Sequence, residues 1–145
     1  MSKEPLPCRE DYPHFLPIQT RWNDMDKYGH VNNMIYYGYF DTVVTDYLVR
    51  NAALDTSDSL AIALVVQSHC NYHAPLSFPE VIDCGLRIGK LGNSSIRYEI
   101  GVFGENQSGI AADGYFIHVF VDRQTRRPTS IPANIRTALQ PLLRD

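Results

Sequence analysis

The chain has 145 residues, 44% hydrophobic and 20% charged, which suits one globular domain with one core and is too short for two. A net charge of -3 argues against nucleic acid as the main partner, because duplex binding needs a concentrated basic surface. Cys8, Cys70 and Cys84 are odd in number and widely spaced, with neither Cys-x-x-Cys nor zinc-finger spacing, which suits a reducing compartment better than a disulfide scaffold.

The first residues, 1–13, with Pro5, Pro7 and Pro13, read as an extended or frayed lead-in. They hold no apolar run before a cleavage site, and no segment reaches the roughly 20 apolar residues of a membrane span. The expectation is therefore a cytoplasmic protein with no membrane association. Phe15 to Trp22 reads as a strand, and Asn23 to Asn32, rich in Asp, Asn and Gly, as a loop. From Asn33 to about Asn51, Tyr36, Tyr37, Phe40, Val43, Val44, Tyr47 and Leu48 recur every three or four residues, giving one apolar helical stripe. Asn32 or Asn33 can cap its start. Gly38 costs roughly 1 kcal/mol relative to Ala in a helix, which suggests close approach to another backbone.

Ala52 to Ser59 is a polar loop. Leu60 to Tyr72 reads as a strand whose apolar run Ala61 to Val66 suits burial on both faces. Pro75 and Pro79 mark a turn, and Val81 to Leu91 is the next strand. Gly92-Asn93 is a tight turn, Ile96 to Phe103 alternates as a strand, and residues 104–109 form a hairpin loop before a long strand, Ile110 to Asp122. Residues 132–143, with the helical part from Ala133 to Leu143, form a short last helix. The order is strand, long helix, then four strands joined by tight turns, which implies antiparallel pairing and an α+β layer. One helix cannot cover five long strands, so the bare area and a free sheet edge favour self-association as dimer or tetramer.

The densest polar cluster, Arg21 to Asn33, falls between the first strand and the helix. Two carboxylates, an imidazole and two amides lie beside a helix start, whose unpaired N–H groups and dipole favour developing negative charge. That combination suits acyl transfer to water: a carboxylate acts as base or nucleophile, and the amides stabilise an oxyanion.

The stretch RWNDMDKYGHVNNMIYYGYFD resembles the signature of hotdog-fold thioesterases of the 4-hydroxybenzoyl-CoA thioesterase type, with matches at Asp24, Asp26, Gly29, His30, Val31, Asn32, Asn33, Tyr36, Tyr39 and Phe40. The Tyr72-x-x-Pro75 element, the Gly92-Asn93-Ser94-Ser95 turn, Val121-Asp122 and Pro132 follow in order, so the resemblance covers most of the chain. It implies a hotdog fold, one long central helix packed on a curved antiparallel five-stranded sheet, over a single domain. It also implies active sites at a dimer interface, an acyl-CoA substrate and no cofactor. Asp26 takes the position of the catalytic carboxylate and the Asn33 backbone amide that of the group polarising the thioester carbonyl. The plant acyl-carrier-protein thioesterases share the His-Val-Asn-Asn element. Their middle Asn is replaced here by Tyr28, which leaves the role of His30 open.

Asp24 reads as a loop-shaping carboxylate. Catalysis by His30 stands beside a role as substrate contact or loop staple. Gly29, Tyr36, Ser94, Ser95, Arg126 and Arg127 are substrate-binding candidates, the arginines as forks for CoA phosphates together with Lys90, Arg87 and Arg97. A charged, solvated rim is the competing reading for these cations. No metal site is expected: His69 and His73, on one face of a strand, lie roughly 13 Å apart. His118 reads as structural, and Cys70 as a packed thiol rather than a nucleophile. The function expected is acyl-CoA thioester hydrolysis. A carrier-protein thioesterase and a noncatalytic acyl-CoA-binding module are the alternatives.

Overall fold

The computed structural model describes residues 5–53 and 60–144. Five strands, β1 (His14–Gln19), β2 (Ala61–Tyr72), β3 (Val81–Leu91), β4 (Ser95–Phe103) and β5 (Ile110–Asp122), form one antiparallel sheet in the order β1-β3-β4-β5-β2. The helix α1 (Ile35–Ala52) lies across one face, and α2 (Ala133–Leu139) packs beside it. Tyr36, Tyr39, Phe40, Val43, Val44, Tyr47 and Leu48 of α1 are buried against Ile82, Leu86, Ile88, Ile96, Tyr98 and Ile100. The helical period of three to four residues and the strand period of two thus bring two apolar faces together. Each such large side chain contributes about 1.5–3 kcal/mol by leaving water.

Three sequence expectations need correction. The strand β2 is not buried on both faces: among the described residues it is a sheet edge that pairs with β5, and Leu64, Val65 and Val66 are exposed. A continuous apolar run serves a buried strand and an edge awaiting a partner equally well. Nor do tight turns join all four later strands. The 73–80 connection carries the chain from one side of the sheet, beside β5, to β3 on the other side of β4. Gly38 is exposed, with no heavy atom within 4 Å of the place a Cβ would occupy, so within the protomer no backbone approaches it.

The lead-in is also more ordered than expected. Arg9–Asp11 makes a 3-10 turn, and Tyr12 is buried on the sheet face opposite α1. Its ring lies over paired Gly85 and Gly101, where any Cβ would come within 2.7 and 2.6 Å of it. Tyr12, Phe103 and Ile110 form a small second core, and Arg9 ties the segment to Asp83 at 2.9 Å. Helix α2 stops at Leu139 and passes into a 3-10 turn, Gln140–Leu142, with Pro141 inside that turn.

Candidate active site

The loop between β1 and α1 is shaped by its own side chains. Trp22–Asp24 forms a 3-10 turn, and buried Asp24 accepts the Arg21 amide at 3.2 Å and the Arg21 guanidinium at 2.8 Å. Asp24 therefore holds the loop. Two residues on, Asp26 Oδ1 accepts the backbone amides of Tyr28 (2.8 Å) and His30 (3.2 Å), an Asx-type turn. Asp26 N–H donates to the His30 carbonyl at 2.8 Å, closing the turn. Gly29 makes it possible with φ +80, a left-handed conformation that side chains disfavour. Asp26 Oδ2 has no hydrogen bond among the described residues.

The helix starts with a comparable device. Asn32 Oδ1 accepts the Met34 amide at 3.1 Å, and the Asn32 carbonyl accepts the Ile35 amide at 2.9 Å. Regular helix therefore begins at Ile35, two residues later than the spacing predicts, after a turn at Asn33–Met34. In a planar trans peptide the N–H points opposite to the carbonyl. Because the Asn32 carbonyl is aimed into the helix, the Asn33 N–H points out of its end, and it has no acceptor among the described residues. Tyr72 donates its hydroxyl to the Asn33 carbonyl at 3.0 Å.

These groups share one cleft of about 400 Å³, lined by Asp26, His30, Val31, Asn32, Asn33, Tyr36, Tyr72, His73, Ala74 and Pro75. The structure thus brings Asp26, His30, Asn33 and Tyr36 together. The His30 ring has no partner among the described residues. Gly29 does not line the cleft: its carbonyl accepts the Ser77 hydroxyl at 2.9 Å, so its part is to set the turn.

Ser94, Ser95, Arg126 and Arg127 are elsewhere. Ser95 pairs with Val119, whereas Tyr72 at the cleft pairs with Ala112. Seven residues of β5 separate these levels, roughly 24 Å at a strand's rise per residue. Arg126 and Arg127 follow β5 at that far end, with Arg126 at φ 64. Within this chain they do not come to Asp26. Tyr72 and Pro75 stand in the sequence as a motif that nothing local assigns to the site. Their placement in the cleft depends on pairing with a distant strand.

The remaining candidates are occupied otherwise. The His73 ring pairs with the Asp113 carboxylate, and His69 Nε2 lies 3.0 Å from Asn71 Oδ1. Among the described residues, no three His, Cys, Asp or Glu side chains are placed to share a metal ion. Burial pushes the Cys70 thiol up to about 11, the opposite of an activated nucleophile. His118 is buried, and desolvation holds it below its ordinary value. Among the described residues, no helix is long and apolar enough to cross a membrane.

A family model described as the thioesterase-like superfamily matches residues 20–139. Among solved structures, the PA5185 protein of Pseudomonas aeruginosa strain PAO1 is 51% identical, with a TM-score of 0.91, covering 96% of this chain and 97% of its own. The PA2801 protein of Pseudomonas aeruginosa, described as a candidate thioesterase, is 30% identical, with a TM-score of 0.80 and coverage of 88% and 98%. A thioesterase of Thermus thermophilus, complexed with coenzyme A and Zn, is 27% identical, with a TM-score of 0.74 and coverage of 92% and 96%. No curated protein sequence matches the chain.

Proposed function

The chain belongs to the thioesterase-like superfamily and is a thioester hydrolase of the hotdog fold, and from that premise we propose that its substrate is an acyl-CoA and its catalytic carboxylate Asp26. One observation carries this reading: Asp26 and Asn33, which hold a carboxylate oxygen and a backbone N–H without partners among the described residues, line the same cleft. The Tyr28 and His30 amides anchor Asp26 Oδ1, so Oδ2 is left to act. It takes a proton from attacking water, or attacks the thioester carbonyl itself to give an anhydride that water resolves. The Asn33 N–H donates to the oxyanion in either route, and collapse expels the CoA thiolate. The coenzyme A held by the Thermus relative supports a CoA ester over a carrier-protein ester, as does Tyr28 at the position of the carrier-protein enzymes' Asn.

The same reading includes self-association through β2, which is last in the strand order among the described residues and exposes Leu64, Val65 and Val66. Antiparallel pairing of two β2 edges sets the Ala61 end of one chain beside the Tyr72 end of the other. The far end that bears Ser94, Ser95, Arg126 and Arg127 then approaches the second chain's cleft, within reach of CoA phosphates.

The test is a hydrolysis screen over acyl-CoAs of graded chain length and over aromatic acyl-CoAs, following free thiol with a colorimetric reagent. Catalytic thiol release from at least one class is expected. Tight binding across the panel without release would make the protein a noncatalytic acyl-CoA module and overturn the proposal.

A further inference from the structure

We propose that the Tyr36 hydroxyl is a second donor to the oxyanion, acting beside the Asn33 amide; this rests on the reading of the Asp26 cleft given above. Tyr36 lies in the first turn of α1, is only 3% exposed and lines the cleft. Its hydroxyl makes no hydrogen bond with any described residue. It is not sealed either: among the described residues the sealed phenol without a partner is that of Tyr39. A nearly buried donor on a residue that lines a cleft is satisfied by what fills that cleft.

Helix geometry aims it. Side chains on a helix lean toward its N-terminus, so residue i covers residues three and four positions earlier. Tyr36, the second residue of α1, therefore leans back toward the turn at Asn33–Met34 that precedes the helix. Two neighbouring rings contact it. Tyr72 meets it edge to face at 5.0 Å between centroids, and Tyr39 at 6.0 Å. Tyr72 gives its own hydroxyl to the Asn33 carbonyl at 3.0 Å, so of the two phenols in the cleft Tyr36 alone keeps a free donor. Burial, with the fields of Cys70, Glu80 and Asp26 adding, pushes the Tyr36 phenol up to about 12, so it holds its proton through the neutral range. A neutral, fixed donor facing the place where charge develops stabilises a transition state without reorganising. The proton stays on the phenol oxygen throughout. The hydrogen bond strengthens as the carbonyl becomes an oxyanion and relaxes when the thiolate leaves.

The experiment compares wild type, Tyr36→Phe and Asp26→Asn on the best acyl-CoA of the screen, with oligomeric state and melting temperature recorded for each. Phe keeps the ring and both aromatic contacts. The expected result is a fall in kcat of about a hundredfold, the usual loss for one oxyanion donor, with KM nearly unchanged. A fluorinated tyrosine at position 36, with a more acidic phenol, should restore most of the rate and bring the alkaline fall in kcat to lower pH. A purely structural role would not move that limb. Unchanged kcat in Tyr36→Phe, or a rise in KM alone, overturns the inference. If Asp26→Asn is inactive while Tyr36→Phe is fully active, only this inference fails. If Asp26→Asn turns over like wild type, the reading of the cleft fails with it.

Discussion

Replacing Gly29 by Ala isolates the backbone turn that presents Asp26. A Cβ at this position meets no heavy atom within 4 Å, so no clash contributes. The cost comes from φ +80, where a non-glycine residue is less stable by about 1–2 kcal/mol. For a domain of this size, roughly 3–4 °C per kcal/mol, the melting temperature should fall by about 3–8 °C. Calorimetry at one fixed protein concentration measures this, since the self-association proposed above would make melting concentration-dependent. Activity should fall as well, because relieving the strain rotates the turn that aims the Tyr28 and His30 amides at Asp26 Oδ1. Gly29→Asn should lie between, since Asn tolerates the left-handed region better than Ala. An Ala variant with wild-type melting and wild-type turnover would refute the link between this turn and the placement of Asp26.

Two further outcomes follow from the same structure. Val65→Lys with Val66→Lys puts charge on the exposed β2 edge and should shift sedimentation toward monomer with the circular dichroism spectrum retained; unchanged mass would reject β2 as the interface. His118 packs 5.0 Å from Tyr98 and 5.6 Å from Phe116, its Nε2 lacks a partner, and burial lowers its folded-state affinity for protons. The unfolded chain then binds more protons below about pH 6.5, so stability is full above that pH and falls as pH drops through it. Melting should therefore decline from about pH 7.5 to about pH 5.5, and less steeply in His118→Phe; equal slopes would contradict this.

Local signals specified some elements fully and others poorly. The bounds of β3 and β5 were readable to the residue because Pro79, Gly92-Asn93 and the 104–109 loop punctuate the chain beside them. The place of β2 was not, because Ala61 to Val66 says only that the strand is apolar; its position follows from pairing with β5, some fifty residues on. Tyr12 was missed for the same reason, since the trough that receives it is made by Gly85 and Gly101. Asp26, His30 and Asn33 were legible as a group because one short loop carries all three. Ser94, Ser95, Arg126 and Arg127 looked like parts of the same site because a sequence does not tell which end of a sheet each turn occupies. Tyr72, which pins the Asn33 carbonyl, needed the sheet register to be found.

The most direct measurement is kcat/KM of Asp26→Asn on the acyl-CoA that wild type hydrolyses best. Asn keeps the Oδ1 acceptor for the Tyr28 and His30 amides, so the loop, the melting temperature and the oligomeric state of wild type should persist. Turnover should drop at least about a hundredfold, the loss expected when a general base or nucleophile is removed. Hydrolysis at the wild-type rate by a folded Asp26→Asn variant would contradict the assignment of the carboxylate.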